Sequence, residues 1–293
     1  QAVYDFVISE LDDIVNDLPE KNTSSDYGRP TRYAALALKC RAALYAGSIA
    51  QFGTIQLNGL LGIPAASASA YYQKSYDMAK AIINSGKYAL YNADADKVIN
   101  FKNIFLVKKN SEVIFAKRHN NIDAFAGGNG WHYDFFQTPK PQGWDAGNSN
   151  APYLEMAEEF EYVDGTPGKL DRVAIQQGLW TTDKLWGNKD PRFFATLYTA
   201  NTPWKGTLVD PHNGLLLPDG TIQSDGSYNG VLALGRQQLA NTNLYFTSFG
   251  VMKYLDESVD AMNFGVASST DYQVFRYGEV LLNFAEAAFE LGK

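Results

Sequence analysis

The stretch from Asp271 to Gly292, DYQVFRYGEVLLNFAEAAFELG, constrains the fold most strongly. Its apolar residues recur at spacings of three and four, which places them on one face of a helix. They are Val274, Tyr277, Leu281, Phe284, Ala288 and Leu291. Asp271 predicts the N-cap, and Gly292 stands where a C′ glycine ends a helix. So apolar a face needs a partner, which we expect to be an earlier helix or a segment beyond residue 293.

Three more helices are predicted before residue 90. An amphipathic pattern runs from Val3 to Leu18 and is stopped by Pro19. Thr31 is the expected N-cap of a second helix, RYAALALKCRAALYAGS, whose many alanines let another helix approach closely. A third helix is predicted from about Ala70 to Ser85. A small-residue helix followed by a Tyr/Ala/Ile helix predicts an antiparallel helical hairpin, the unit of tetratricopeptide-like arrays.

The middle of the chain has a different texture. Short strands are predicted at 112–119 (EVIFAKRH) and 192–199 (RFFATLYT), and a short helix from Pro152. Residues 250–256, GVMKYLD, predict a strand or a short helix, and Asp94 and Asp96 predict a turn rather than a calcium loop. We expect one domain over residues 1–293, with a helical scaffold at 1–90 and 271–293 and a loop-rich ligand face at 91–270.

Composition excludes several classes of partner and chemistry. A net charge of −7 without a Lys/Arg stripe argues against nucleic acid and anionic membrane surfaces. The single cysteine, Cys40, allows no intrachain disulfide, and its Ala/Leu-rich surroundings predict a buried structural thiol. The sequence contains no run of about 18 apolar residues, so no membrane span is predicted. The three histidines have no metal-ligand spacing, so neither a metal nor another cofactor is predicted.

Five segments together resemble the SusD/RagB-like outer-membrane proteins of Bacteroidetes-type bacteria. They are GRPTRYAALALKCRAALYAG, YYQKSYDMAKAIINSGKYAL, SEVIFAKRHN, PYLEMAEEFEYVDGTP with KDPRFFATLYT, and FGVMKYLD with FRYGEVLLNFAEAAFELG. SEVIFAKRHN is similar to the family's "n-E-i-I-f" strand, and FGVMKYLD to its "Gy-x-x-x-Ky" segment. The order of the segments also matches. Gly278 departs from the family, which prefers alanine there. The family's lipoprotein cysteine, N-terminal region and C-terminal part are absent, so we expect a fragment truncated at both ends.

The resemblance implies a mainly α fold in which tetratricopeptide-like helical hairpins support a loop-rich face with a few short strands. It implies a protein without enzymatic activity on the extracellular face of the outer membrane, held there only by a lipid anchor that this chain lacks. It also implies capture of oligosaccharides, or occasionally peptides, and delivery to a SusC-like TonB-dependent transporter. Which glycan is bound stays open.

The irregular segment 120–151 predicts the ligand site. Loops of this length are uncommon and are usually functional. Sugar capture needs aromatic faces for the C–H side of a pyranose and polar groups for its hydroxyl rim. The segment has both kinds of residue. The candidates are Trp131, Tyr133, Phe136 and Trp144 for stacking, and Asn129, Asp134, Gln142 and Asn148 for hydrogen bonding.

Not every aromatic residue is assigned to binding. Packing onto the helices is the favoured role for Phe135 and is favoured over binding for Phe136, and it is also expected for Trp186 and Trp204. Trp180 is left undecided. We expect Trp131→Ala and Trp144→Ala to weaken oligosaccharide binding while leaving the thermal midpoint nearly unchanged.

Two alternatives stay open beside glycan capture. A glycoside hydrolase needs two carboxylates across a cleft. The nearest group, Glu155, Glu158 and Glu159 with Glu161 and Asp164, begins on one short helix, where neighbouring residues cannot flank a substrate from both sides. A peptide-binding or protein-interaction scaffold would use the helical hairpins. The exposure of Trp131 and Trp144 would favour the glycan, and their burial would disfavour it.

Overall fold

The computed structural model describes residues 1–122, 127–139, 149–177, 182–209, 215–216, 222–223, 249–261, 263 and 265–293. These residues form two compact units. Unit 1 comprises residues 1–91, 108–118 and 271–293, and unit 2 comprises residues 92–107 and 119–270. The interpretation as one domain stays a prediction.

The regular elements are mostly helices, as predicted. In chain order the helices are α1 (Ala2–Ile14), α2 (Arg32–Phe52), α3 (Ala68–Asn84), α4 (Lys97–Leu106), α5 (Tyr133–Gln137), α6 (Leu154–Glu158), α7 (Arg172–Gln176), α8 (Thr182–Trp186), α9 (Pro191–Thr196) and α10 (Tyr277–Glu290). The strands are β1 (Val113–Lys117), β2 (Leu197–Tyr198), β3 (Pro203–Trp204), β4 (Thr207–Leu208), β5 (Leu215–Leu216), β6 (Ile222–Gln223), β7 (Gly250–Val251) and β8 (Tyr272–Arg276). They form two-stranded antiparallel pairs, β1–β8, β2–β7, β3–β4 and β5–β6. No helix in the described ranges is long and apolar enough to cross a membrane.

Helix α2 is the centre of unit 1 because its small side chains allow close packing. Thr31 caps the helix as predicted, its hydroxyl accepting a hydrogen bond from the Ala34 amide at 3.3 Å. A Cβ added to Gly47 would lie 2.9 Å from the Tyr72 ring of α3, so that ring occupies the space a side chain would need. The predicted hairpin of α2 and α3 is therefore confirmed. Cys40 is fully buried within it, and its Sγ lies 3.4 Å from the Ser75 hydroxyl.

Helix α10 packs on this hairpin, as its apolar face predicted. Phe284 stacks on Tyr76 of α3 with ring centroids 4.6 Å apart, and Ala287 is completely buried in the same core. The predicted helix start was wrong, because residues 272–276 form strand β8 and the N-cap position of α10 is Arg276 rather than Asp271. The end was right, since Gly292 adopts φ +67° after the last turn.

The start of α10 is held by a buried carboxylate on the segment before β1. Glu112 is 1% exposed, and its Oε2 accepts hydrogen bonds from Arg276 at 2.8 Å and from the Gly278 amide at 3.3 Å. Its Oε1 accepts one from the Tyr91 amide at 3.0 Å. A second carboxylate, Glu279, accepts two hydrogen bonds of 2.6 Å from Arg41 of α2. These bonds hold β1, β8 and α10 to the hairpin.

Unit 2 departs further from the sequence-based expectations. The predicted strand at 192–199 is mostly helix α9, because Asp190 caps that helix and Pro191 occupies its first turn. Asp96, expected in a turn, is the N-cap of α4, a helix that the sequence analysis missed. The helix predicted from Pro152 is limited to α6.

Among the described residues of unit 2, two apolar clusters form the core. Trp186 stacks on Phe193 at 5.5 Å in one cluster, and Trp204 lies 1% exposed in the other. Both tryptophans were predicted to pack, and both do. Trp180 lies outside the described residues.

Candidate ligand-binding site

The segment that carries Trp131 is held at both ends by hydrogen bonds. Asn120 and Asn129 bind each other reciprocally, each side-chain oxygen accepting from the other's backbone amide, at 2.8 and 3.1 Å. Trp131 then pairs with Ser268 in a backbone bridge, with N–O distances of 3.3 and 2.7 Å. Between them Gly130 leaves no room for a side chain, because an added Cβ would lie 2.3 Å from the Cβ of Ala267. The backbone around Trp131 is therefore fixed both by Asn120 and by Ala267 and Ser268, which lie more than a hundred positions away.

Trp131 belongs to a group of stacked rings that we call the aromatic cluster, defined by His119, Trp131, Tyr133 and Tyr254. His119 stacks on Trp131 at 4.8 Å and Tyr133 at 4.7 Å, both nearly parallel, while Tyr254 meets Trp131 edge-on at 6.0 Å. His119 is buried and the other three rings are partly exposed. The cluster thus presents partial aromatic surface from three residues at one place.

Hydrogen bonds to backbone carbonyls orient two of these rings. His119 Nδ1 donates to the carbonyl oxygen of Thr270 at 3.0 Å, and the Tyr133 hydroxyl donates to that of Lys253 at 2.6 Å. Burial raises the pKa of the Tyr133 phenol above its ordinary value, and the nearby Asp134 carboxylate raises it further. The phenol therefore stays protonated and keeps donating.

Tyr254 is a member of the cluster that the sequence analysis missed. Its backbone has φ +71°, a left-handed conformation that costs energy for a residue with a bulky side chain. The residue nevertheless brings its ring against Trp131, Tyr133 and Phe105. Its position in GVMKYLD, which resembles the "Gy-x-x-x-Ky" segment, was the available signal. No sequence pattern predicted the conformation or the contacts.

Asp134 does not face a ligand, so the structure corrects its predicted role. The side chain is 0% exposed, and its Oδ1 accepts a hydrogen bond from the Asp256 amide at 2.7 Å. The Asp134 amide donates to the Ser268 hydroxyl at 2.8 Å. Burial is the largest influence on the carboxyl and raises its pKa to about 6, against the lowering effect of Ser268 and the Asp256 amide. Asp134 ties the turn around residue 256 to the Trp131 segment.

The other predicted contact residues divide into three groups. Asn129 is exposed beside Trp131 in sequence, and Tyr133 is partly buried within the cluster. Phe136 is 38% exposed and packs edge-on against the buried Phe135, which was correctly predicted to pack. The remaining candidates lie outside the described residues and stay predictions. They are Trp144, Gln142 and Asn148.

The expected effect of Trp131→Ala on stability changes with this geometry. Two rings stack on Trp131, and aromatic pairs of this kind each contribute about 0.5–1.5 kcal/mol. Removing the indole therefore costs roughly 2 kcal/mol in addition to any effect on a ligand. The thermal midpoint is expected to fall, contrary to the prediction made from sequence.

The carboxylates around α6 are arranged as an ion pair and exposed side chains. Glu158 accepts hydrogen bonds from Arg172, one of them 3.0 Å long, and from the Leu170 amide at 2.8 Å, so its side chain ties α6 to the start of α7. Arg172 holds the pKa of Glu158 below its usual range. Glu155 and Glu159 are exposed. Among the residues that the structure describes, no group of three or more His, Cys, Asp or Glu side chains could hold a metal ion.

The family of the chain follows from comparison with known proteins. The model of the SusD family matches residues 111–293, which is more than half of the chain. The chain belongs to the SusD family. No curated protein matches it.

Solved SusD-like structures share the fold. A SusD-like protein from Bacteroides fragilis is 22% identical with a TM-score of 0.66, over 99% of this chain and 49% of its own. A SusD-like carbohydrate binding protein from the same species is 20% identical with a TM-score of 0.66, over 100% and 47%. Surface glycan-binding protein A from Bacteroides thetaiotaomicron, in complex with laminarihexaose, is 16% identical with a TM-score of 0.51, over 98% and 50%. The chain therefore spans about half the length of the solved relatives that it matches.

The departure of this SusD-family chain at Gly278 has a local cause. The guanidinium of Arg276 lies over Gly278, and an added Cβ would be 2.1 Å from its Nη1 and 3.1 Å from Glu112 Oε2. Glycine thus leaves room for the ion pair between Arg276 and Glu112.

Proposed function

We propose that this chain is part of a cell-surface glycan-binding protein, one that captures oligosaccharides and does not cleave them. The observation that carries the proposal is the aromatic cluster, in which Trp131 and Tyr133 are partly exposed on a backbone held in place by Gly130 and Ser268. His119 and Tyr133 both stack on Trp131, so a pyranose ring would pack its C–H groups on the aromatic surface that the cluster leaves exposed. A preformed aromatic surface also avoids the entropic cost of ordering its own side chains on binding.

Polar groups for the rim of a sugar lie in the same segment of the chain as Trp131. Asn120 and Asn129 are both exposed, and their side-chain oxygens are engaged with backbone amides. The side-chain NH₂ group of Asn120 can donate to a sugar hydroxyl. Two or three stacked rings with a few hydrogen bonds correspond to micromolar to millimolar affinity, about −8 to −4 kcal/mol. The solved relative that carries laminarihexaose supports a glycan as the ligand class.

Location and partner belong to the same proposal. We infer a position on the extracellular face of the outer membrane, through a lipid anchor, and delivery of the glycan to a SusC-like TonB-dependent transporter. Family membership supports both inferences. Co-purification with a SusC-like transporter from outer membranes tests the partner, and recovery of the protein without any transporter would contradict it.

The sharpest test of the site is calorimetric titration of variants against a panel of oligosaccharides. Trp131→Ala is expected to weaken binding about tenfold or more and to lower the thermal midpoint by roughly 5 °C. Trp131→Phe keeps a stacked ring, so its affinity and thermal midpoint are expected to lie between those of the wild type and those of Trp131→Ala. Trp144→Ala tests the second predicted tryptophan.

Tyr153→Ala is the matched control, because Tyr153 is a 76% exposed aromatic residue of unit 2 outside the cluster. It should change neither affinity nor midpoint. Titration at 15 °C, with near-UV circular dichroism as a check of folding, separates lost binding from lost structure. Unaltered affinity in Trp131→Ala and Trp144→Ala together would place the site elsewhere.

Glycoside hydrolysis is the alternative of a different class. The pairing of Glu158 with Arg172 favours a structural role for this carboxylate. Incubation with soluble oligosaccharides should release no new reducing ends, and sustained turnover would overturn the proposal. A peptide ligand is the second alternative, which the same titrations test when peptides are added to the panel.

A further inference from the structure

A second candidate site lies in unit 1, independent of the aromatic cluster. It is a cavity of about 730 Å³ between the polar loop at residues 20–31 and the segment 109–116 that includes β1. We call it the basic cavity. Cavities of this size accommodate small ligands or a few sugar residues.

The charge of the basic cavity is opposite to that of the chain. Four cationic side chains line it, and Glu20 is the one carboxylate among its lining residues, whereas the chain as a whole has a net charge of −7. The cations are Lys21, Arg29, Lys87 and Lys109. A concave surface with one sign of charge concentrates ligands of the other sign.

These cations are only partly neutralised within the protein. Lys87 lies 3.8 Å from Glu20, and Arg29 lies 3.4 Å from Asp26, both in exposed pairs that contribute little. Glu20 also binds Arg32 at 3.1 Å, so its charge is shared between two cations. Within the described ranges no carboxylate lies within ion-pair distance of Lys21 or Lys109. Positive charge is therefore available to a ligand.

Contacts around Tyr27 fix the side of the basic cavity on which Lys109 lies. Lys109 has φ +57°, and its Nζ lies 4.6 Å from the centre of the Tyr27 ring. The Arg118 guanidinium lies 5.5 Å from the same ring, and its Nη1 donates to the Tyr27 carbonyl oxygen at 3.0 Å. Burial and the Asp271 carboxylate raise the pKa of the Tyr27 phenol to about 12, so this group stays neutral among the cations. These contacts hold the polar loop at residues 20–31 to the segment around β1, beside the cationic side chains of the basic cavity.

Polar groups that suit sugar hydroxyls line the same cavity. Asn22, Thr23, Ser24 and Asn110 are among its lining residues. The Asn22 side chain also donates to the Arg29 carbonyl oxygen at 2.7 Å, which closes the loop around the cavity. Hydroxyl and amide side chains both donate and accept, as hydroxyl-rich ligands require.

From this combination we infer that the basic cavity is a second glycan site, one that takes an acidic sugar residue with a carboxylate group. The lysines and arginine would attract the carboxylate, and the hydroxyl and amide groups would bind the sugar's hydroxyls. A sulfate ester offers related chemistry and is distinguished below. The inference does not depend on the proposed role of Trp131.

Calorimetric titration with an oligogalacturonate tests this inference, with its fully methyl-esterified form as the uncharged control ligand. The acid form is expected to bind, with an affinity about fivefold or more weaker at 200 mM salt than at 20 mM salt. The ester is expected to show no comparable binding. The double variant Lys21→Gln with Lys109→Gln should weaken binding about fivefold or more. Trp131→Ala should leave this binding unchanged, which separates the basic cavity from the site proposed above.

The control variant is Lys74→Gln with Lys97→Gln, which removes the same charge at exposed positions outside the basic cavity. Equal loss of affinity in both double variants would reduce the effect to overall charge and overturn the inference. Equal binding of acid and ester would also overturn it, as would tighter binding of a glutamate hexapeptide, which would assign the basic cavity to acidic peptides. Tighter binding of a sulfated galactan oligosaccharide would overturn the choice of a carboxylate.

Discussion

Unit 1 and unit 2 are built from elements of different length. In unit 1 the helices α2, α3 and α10 have 21, 17 and 14 residues, whereas the helices of unit 2 in the described part of the chain have five or six residues, apart from α4, which has ten. Long helices bury a continuous face, so their packing follows from a repeated pattern. Short elements cannot bury a continuous face. Unit 2 relies instead on single contacts, such as the backbone bridge of Trp131 with Ser268 and the hydrogen bond of Asp134 with Asp256. The candidate glycan site lies in the unit whose structure depends on such contacts.

The largest loss of stability is expected for a substitution in unit 1, at a position where that unit also depends on a single side chain. Glu112→Ala removes a buried carboxylate and leaves Arg276 and two backbone amides without their acceptor. We expect a loss of about 3–4 kcal/mol in the free energy of unfolding, measured by urea denaturation. Glu10→Ala, at an exposed position of α1, is the control and should change little. A loss below about 1 kcal/mol for Glu112→Ala would mean that helix packing alone holds unit 1.

A pH dependence of stability is expected from unit 2. Burial raises the folded-state pKa of Asp134 to about 6, above that of the unfolded chain, so between about pH 4 and pH 6 the folded state binds the extra proton. The contribution of this group therefore favours folding at low pH, falls as pH rises through that window, and is fully unfavourable above it. The expected change is on the order of 3 kcal/mol.

Urea denaturation of Asp134→Asn over the same pH range isolates this contribution. Asparagine does not titrate, so the difference in unfolding free energy between wild type and variant should change between pH 4 and pH 6 and be constant above. Asp17→Asn, an exposed carboxylate of unit 1, is the control. A difference that does not vary with pH would contradict the raised pKa of Asp134.

A smaller effect, confined to unit 2, is expected for Gly130→Ala. The new methyl group would collide with Ala267 and with the Asn120 carbonyl oxygen, forcing the Trp131 backbone to move. We expect a loss of about 2 kcal/mol and faster hydrogen exchange in residues 119–137 and 265–270 than in α2 and α3. Gly265→Ala is the control, since its Cβ would come no closer than 3.3 Å to another atom. Unchanged exchange in Gly130→Ala would mean that the loop tolerates the shift.

Much of unit 1 could be predicted from sequence because its signals are local. Thr31 caps α2, the alanines of that helix meet α3, and Phe284 faces Tyr76, as period and residue size indicated. The error at residues 271–276 has the same origin. Val274 and Tyr277 fit a helical period, but residues 272–276 pair with β1, and a long-range backbone partner overrides a local pattern.

The candidate site was only partly predictable. Trp131, Tyr133 and Asn129 were recognised by residue type within a long irregular segment. Asp134 has the same chemical type as a sugar-binding carboxylate, yet it lies inside because Ser268 and Asp256 surround it. Tyr254 and His119 join the cluster through contacts that span many residues of chain. Residue type reports which groups could bind, and burial decides which of them a ligand can reach.

Sequence by itself determined the helical hairpin, the packing of α10 against it and the family, because period, caps and motif order are properties of neighbouring residues. Tertiary structure alone decided that Asp271–Gly292 begins with a strand, that Asp134 is buried and that three other rings meet Trp131. It also brought the cations of three separate segments, around residues 21–29, 87 and 109, to one cavity. Each of these depends on pairing, burial or charge between residues far apart in the chain, whose free energy no local pattern contains.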